Sequence, residues 1–326
     1  MDARRTDLDP QVATLLEEPT YQTLPPWHAL SVEAARRLED DVFGGEPTIS
    51  LLEVTETAIP GADAGSEIPI RVYRPLEAHD LPVLVFYHGG GWTLGTLDSA
   101  DDLCRAFAAE TESLVVSVDY RLAPEHPFPA PLEDAIAALE WVHEHAAAVG
   151  GDPDRIGVCG SSAGANLAAA VARWDAGRGA DVLAQQVLCY PITDHAFDTP
   201  SYAENADGPL LTRADMRWFW DQYLRHPVDG VNPYASVLRA PSFDGLPPTT
   251  VVTCGHDPLR DEGIAYVEAL EDASVATTHH HYPSLPHGAL SLADEVEQSA
   301  EAMEKLTDRI RSAFWLVPMA TRTPAR

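Results

Sequence analysis

The strongest constraint on this chain is a rhythm. Between Val83 and Pro191, short apolar runs alternate with helix-like stretches: VLVFYH, SADDLCRAFAAETE, SLVVSVDY, PLEDAIAALEWVHEHAAAVG, RIGVCG, AGANLAAAVARWDAG and AQQVLCYP. Runs without polar alternation suit strands covered on both faces, and their alternation with helices predicts an α/β fold with a mostly parallel sheet flanked by helices. Ahead of this region, TISLLEVTETAI and EIPIRVYRP flank a GADAG turn and read as an antiparallel hairpin.

The rhythm also predicts the organisation. Residues 1–45 read as helical, with Asp9 capping a helix that has Pro10 at its first position, and Ser31 capping VEAARRLEDD. Residues 46–194 form the first part of the core. The aromatic-rich stretch 195–236, containing LTRADMRWFWDQYLRH, interrupts the alternation and reads as an inserted helical cap to which the N-terminal helices contribute. Residues 237–326 resume the core with TTVVTCG, GIAYVEALEDA, THHHYP and ADEVEQSAEAMEKLTDRIRSAF. At 326 residues, with no internal repeat or low-complexity linker, this is one folding unit with a cap.

Two glycine motifs fall at strand ends. Gly160-Ser161-Ser162-Ala163-Gly164 matches G-x-S-x-G between a buried strand and an Ala-rich helix. A serine on so sharp a turn presents its hydroxyl above the sheet edge, and glycines remove the Cβ atoms that would collide there. His88-Gly89-Gly90-Gly91-Trp92 ends the VLVFYH strand and is much the rarer motif by chance. Its flexible backbone lets the amides of Gly89 and Gly90 converge, with that of Ala163, on a developing oxyanion.

A nucleophilic serine needs a base and an acid that orients the base, and in this fold both lie downstream. Asp257 follows the TVVTCG strand and His287 follows the last strand, each at a strand C-terminal end. Asp261 and Glu262 compete for the acid role but fall in the first turn of the next helix, where they complement its dipole. His279, His280 and His281 lie within the last strand. His279 and His281 share a face, yet no carboxylate or cysteine at ligand spacing joins them, so no metal is expected. Trp92, Trp218 and Phe219 are candidate pocket residues, although Trp218, Phe219, Trp220 and Tyr223 also suit a plain cap core. Arg121 and Glu125 read as a structural pair beneath the site.

With these residues in place, the chain resembles the hormone-sensitive-lipase-like family of α/β-hydrolases. HGGGW, DYRLAPEHPFPAPLEDA, GSSAGANLA, YPITD, DPLRDEG and YPSLPHG carry the likeness over nearly the whole length. It implies an α/β-hydrolase core with a helical cap and cofactor-free hydrolysis of carboxylic esters; short- to medium-chain esters are expected because nothing in the sequence resembles the large exposed apolar surface a lipid interface requires. Ser162, Asp257 and His287 match the family's triad, and Gly89, Gly90 and Ala163 its oxyanion hole. Ser161 and Ala165 depart from the usual G-D-S-A-G-G, and Gly288-Ala289-Leu290 replaces a run that often holds an aromatic. An amidase or formamidase on the same triad would share every motif. A non-catalytic small-molecule receptor on the same fold is the third reading, and the retained His287 argues against it.

Charge and composition limit the setting. The formal net charge is −30, with 51 acidic residues against 21 basic ones, of which only Lys305 is a lysine. Such a surface repels phosphate backbones, so nucleic-acid partners are not expected. No apolar run reaches the ~18 residues of a membrane helix, and MDARRTDLDP lacks a signal-like apolar stretch. Cys104, Cys159, Cys189 and Cys254 are too scattered for a zinc or disulfide framework. A soluble, cytoplasmic protein is therefore expected. The apolar AFWLVPM near the C-terminus fits docking on its own core or a homodimer contact, and we expect the homodimer.

The acidity itself has two readings, adaptation to salt or an Arg-preferring genome. At molar salt the screening length falls to about 3 Å, so dense carboxylates no longer repel one another. Salt adaptation predicts a melting temperature that rises between low salt and about 2 M KCl; thermal scans giving equal values at both ends would refute it.

Overall fold

The computed structural model describes residues 4–45 and 47–316. Asp9 Oδ1 accepts from the amides of Gln11 and Val12, opening α1 (Pro10–Leu16), and α2 (Pro19–Gln22) follows. Ser31 caps α3 (Val32–Phe43) through the Ala34 amide at 3.3 Å. The hairpin β1 (Glu53–Pro60) and β2 (Glu67–Arg74) precedes β3 (Leu81–Tyr87), α4 (Asp101–Thr111), β4 (Leu114–Val118) and α5 (Ala130–His145). Then come β5 (Gly151–Ser161), α6 (Ala163–Arg178), β6 (Leu183–Cys189), α7 (Pro200–Glu204) and α8 (Arg213–Tyr223). The chain closes with β7 (Thr249–His256), α9 (Arg260–Asp272), β8 (Thr277–Pro286) and α10 (Glu297–Leu316). Of the apolar C-terminal run, the residues beyond Leu316 lie outside the described ones.

One eight-stranded sheet has the order β1-β2-β4-β3-β5-β6-β7-β8. The β1–β2 and β2–β4 ladders are antiparallel and the other five parallel, giving the α/β-hydrolase arrangement. Every residue of β3 is buried, and the strand divides its side chains between two cores. Val83, Val85 and Tyr87 pack with residues of α5 and α6; Leu84 and Phe86 pack on the opposite face with residues of α4 and α10. The period of two along a strand thus explains a continuous apolar run, since both faces are covered. β1, at the sheet edge, is exposed along most of its length.

The N-terminal helices and the 195–236 stretch are tied together. His28 donates its backbone amide and its Nδ1–H to Asp215 Oδ1 at 2.9 and 2.7 Å. Arg36 on α3 reaches the carbonyls of Thr93 and Ala123 and forms a bidentate pair with Glu125. Arg121 instead grips Asp134 and Asp63, so the expected Arg121–Glu125 pair is not formed: each side chain finds a partner from another element.

The turn from β5 into α6 is the tightest point of the fold. A Cβ on Gly164 would fall 1.9 Å from the Tyr87 carbonyl oxygen and 2.4 Å from that of His88, so helix and strand meet backbone to backbone. Gly164→Ala must push them apart. Overpacking of this kind costs about 1–3 kcal/mol, and urea denaturation showing a loss under about 0.5 kcal/mol would contradict the contact.

Candidate active site

Ser162 stands between β5 and α6 at φ 55° and ψ −115°, a conformation unusual for a residue with a side chain. Its amide donates to the Cys189 carbonyl at 2.9 Å, tying the turn to the end of β6. Its Oγ lies 3.0 Å from His287 Nε2, and His287 Nδ1 lies 2.8 Å from Asp257 Oδ2. The carboxylate can only accept, which puts the ring proton on Nδ1 and leaves Nε2 free to accept from the serine. Asp257 Oδ1 takes the Leu259 amide at 2.8 Å, fixing the carboxylate plane. The three side chains converge from the C-terminal ends of β5, β7 and β8.

Two further residues hold this chain in place. Tyr190 follows β6 at φ 41° and turns its ring edge-on to His287, with centroids 4.9 Å apart. Asn205, fully buried after α7, donates through Nδ2 to the carbonyls of Ser201 and Asp257 at 3.1 Å. Tyr190 stood in the sequence only as part of YPITD, with no role attached, and Asn205 did not stand out, because a lone Asn carries no spacing signal.

The glycine loop after β3 is ordered from behind. His88 is buried, stacked on Tyr120 at 4.2 Å, and donates through Nδ1 to the Gly89 carbonyl at 2.8 Å. Burial lowers its pKa to about 4, so the ring is neutral. The Tyr120 hydroxyl donates to the His88 carbonyl at 2.8 Å. With both carbonyls held on that side, the trans peptide geometry aims the Gly89 and Gly90 amides the opposite way. Gly90 adopts φ 94°, open to glycine alone at little cost, and accepts from the Leu94 amide at 2.8 Å. Gly89 lies against the serine turn, where a Cβ would sit 3.6 Å from that of Ser162. Ala163 opens α6, whose first amides lack intrahelical partners.

A cavity of about 460 Å³ lies above Ser162 and His287, walled by Leu16, Tyr21, Leu24 and Leu38 from the N-terminal segment and by Leu211, Met216 and Phe219 from the 195–236 stretch. Of the three aromatics expected there, Phe219 lines it. Trp92 and Trp218 do not: Trp92 is fully buried beneath the loop, stacked on Tyr223 at 3.9 Å, and Trp218 packs against the edge of Phe219. The other candidates also have settled roles. His279 Nε2 and His281 Nδ1 both bond Thr253 Oγ1 at 2.8 Å, and no cluster of three ligand-type side chains suited to a metal occurs among the described residues. Asp261 pairs with Arg260 at 2.9 Å and Arg4 at 3.3 Å. Glu262, in the first turn of α9 as expected, is buried: its Oε1 takes the Thr193 amide at 2.7 Å, and burial raises its pKa well above the usual carboxyl range. All four cysteines are free and buried, and no described helix is long and apolar enough to cross a membrane.

Comparison with known proteins gives consistent matches. Residues 84–291 match the model of a family described by the alpha/beta hydrolase fold. The carboxylesterase NlhH of Mycobacterium tuberculosis is 41% identical over 307 residues, spanning 91% of this chain and 93% of the relative. The carboxylic ester hydrolase LipN of the same organism is 46% identical over 270 residues, spanning 80% and 70%. The solved structure of a hyperthermophilic esterase from the archaeon Pyrobaculum calidifontis superposes with a TM-score of 0.87 at 36% identity, covering 94% of this chain and 99% of that one.

One acid in the cavity wall has an unusual charge state. Glu39 on α3 is buried beside Ser99 and the Gly95 amide, and desolvation raises its pKa from 4.5 to about 7. Its folded-state pKa lies above the unfolded one, so the stability tied to its bound proton is lost as pH rises from about 4.5 towards 7. Glu39→Gln cannot titrate. Between about pH 4 and pH 8 the unfolding free energy of the variant should gain about 2–3 kcal/mol relative to the parent; parallel stability curves from urea titrations would overturn this.

Proposed function

The chain belongs to the hormone-sensitive-lipase-like family of α/β-hydrolases, and from that premise we propose how it hydrolyses carboxylic esters. The observation that carries the mechanism is the unbroken hydrogen-bond chain from Asp257 through His287 to Ser162. His287 Nε2 takes the hydroxyl proton as Ser162 Oγ attacks the ester carbonyl, forming a tetrahedral oxyanion. The amides of Gly89, Gly90 and Ala163 donate to that oxygen, which carries full charge only in the intermediate, so they stabilise it more than the substrate. His287 then hands its proton to the departing alkoxide, and the alcohol leaves an acyl-Ser162. Water repeats the sequence: His287 accepts its proton, the second tetrahedral species collapses, and the carboxylic acid and Ser162 are restored. Asp257 holds the ring in the tautomer this requires and faces the imidazolium while it exists.

Substrate size follows from the walls. The cavity lies towards the lower end of the ~300–1,000 Å³ usual for small-molecule sites. Residues 1–45 and 195–236 act together as the cap, and their apolar side chains favour short to medium acyl chains. The four buried free thiols support a reducing, cytoplasmic setting, and the exposed Trp315 on α10 supports association as a homodimer.

Ser162→Ala should lower kcat on p-nitrophenyl butyrate at least about 1,000-fold without unfolding the protein; retained turnover would remove Ser162 from the mechanism. In the parent, kcat/KM should fall from the acetate and butyrate esters to the laurate. A preference for laurate would overturn the size assignment.

A further inference from the structure

The ladder between β7 and β8 breaks just before the site. Cys254 pairs with Tyr282, and the next pair is His256 with Pro286, so one residue of β7 faces three of β8. The cause is local. Pro283 has no amide to give, and its carbonyl oxygen sits where a Cβ on Gly255 would lie 2.0 Å away. Pro283, Ser284 and Leu285 therefore form a bulge that delivers His287 two residues after its end.

The bulge is held by the N-terminus rather than by the sheet. The Thr6 amide donates to the Pro283 carbonyl at 3.1 Å and the Asp9 amide to that of Ser284 at 3.0 Å. On β7, the residue immediately before Asp257 is tied to the same segment. His256 donates through Nε2 to the Thr6 carbonyl at 3.0 Å and accepts through Nδ1 from the Arg5 guanidinium at 3.2 Å. The Arg4 carbonyl accepts from His281 Nε2 at 2.9 Å, and Arg4 reaches Asp261. Burial and the neighbouring Arg5 lower the His256 pKa, in keeping with a neutral ring that both donates and accepts.

We propose that the strap from Arg4 to Asp9 is a positioning element of the acid–base pair, clamping the bulge that carries His287 to the strand end that carries Asp257. The strap's amides take up the Pro283 and Ser284 carbonyls within the bulge. The strap touches neither substrate nor reacting atoms and acts through the separation of the two side chains. Because catalytic geometry is sensitive to displacements near 1 Å, its loss falls on the rate of the chemical steps. This inference rests on Asp257 and His287 being the acid and the base.

The test uses the full chain, with p-nitrophenyl butyrate as substrate and a p-nitrophenyl phosphonate to count reactive serines. Thr6→Pro removes the amide donated to Pro283, and His256→Ala removes the ring. Both should lower kcat per labelled site about tenfold with KM within about twofold, while His256→Gln, which keeps a donor and an acceptor, should recover most of the rate. Should Thr6→Pro not fold, Arg5→Ala, on an exposed side chain, carries the expectation of a smaller fall in kcat beside His256→Ala. Unchanged kcat per site, failure of the glutamine to restore it, or a change confined to KM would overturn the proposal. Activity surviving in Ser162→Ala would instead overturn the triad on which it rests.

Discussion

The structure turns on one backbone conformation, that of Ser162. Holding a side-chain-bearing residue at φ 55° costs on the order of 1–3 kcal/mol and persists only where the surroundings over-determine it. They do so from three directions. The Cys189 carbonyl takes its amide, Gly164 is pressed against the end of β3, and Gly160 sits against Gly164 so closely that a Cβ would meet it at 2.2 Å. The sheet order follows from the same need, since β3 and β6 must flank β5 to supply those contacts.

Charge is divided sharply between surface and site. The chain carries a net charge of −30, yet the groups around the nucleophile are neutral or paired. His88 is kept neutral by burial, the proposed oxyanion donors are backbone amides, and Asp257 faces His287. A preorganised neutral environment is worth most at low dielectric, and most of the cavity wall is apolar. Little of the chain's acidity thus reaches the proposed reaction, which is left to a few dipoles.

What was legible in the sequence has a common character: it is local. The two-sided strand runs, the Asp9 and Ser31 caps, and the two glycine motifs each announce themselves within a few residues, and the sheet and both loops appear where those signals lie. Apart from the convergence of Ser162, Asp257 and His287, found from their places at strand ends and from the family motifs, contacts between distant segments were not legible. Arg36 reaching Glu125, Asn205 bracing the Asp257 loop and Tyr190 meeting His287 all join residues far apart in the chain. Trp92 and Trp218 were misjudged because adjacency to a motif says nothing of side-chain direction. Residues one apart on a helix differ by about 100°, so Phe219 can face the cavity while Trp218 faces away. Glu262 lies in the first turn of α9 as expected, but its burial was not legible, since a first-turn acid resembles any other until the chain packed against it, at Thr193 and Asp194, is known.

The bond between His28 and Asp215 joins two wall-forming segments separated by 187 residues. Neither segment contributes a residue to the hydrogen-bond chain at Ser162. On the proposed mechanism, selectivity and turnover are thus inherited on different stretches of the polypeptide. Drift in the wall residues can change which esters are admitted while the geometry that cuts them is kept, and a lineage built on this plan can change its diet without relearning its chemistry.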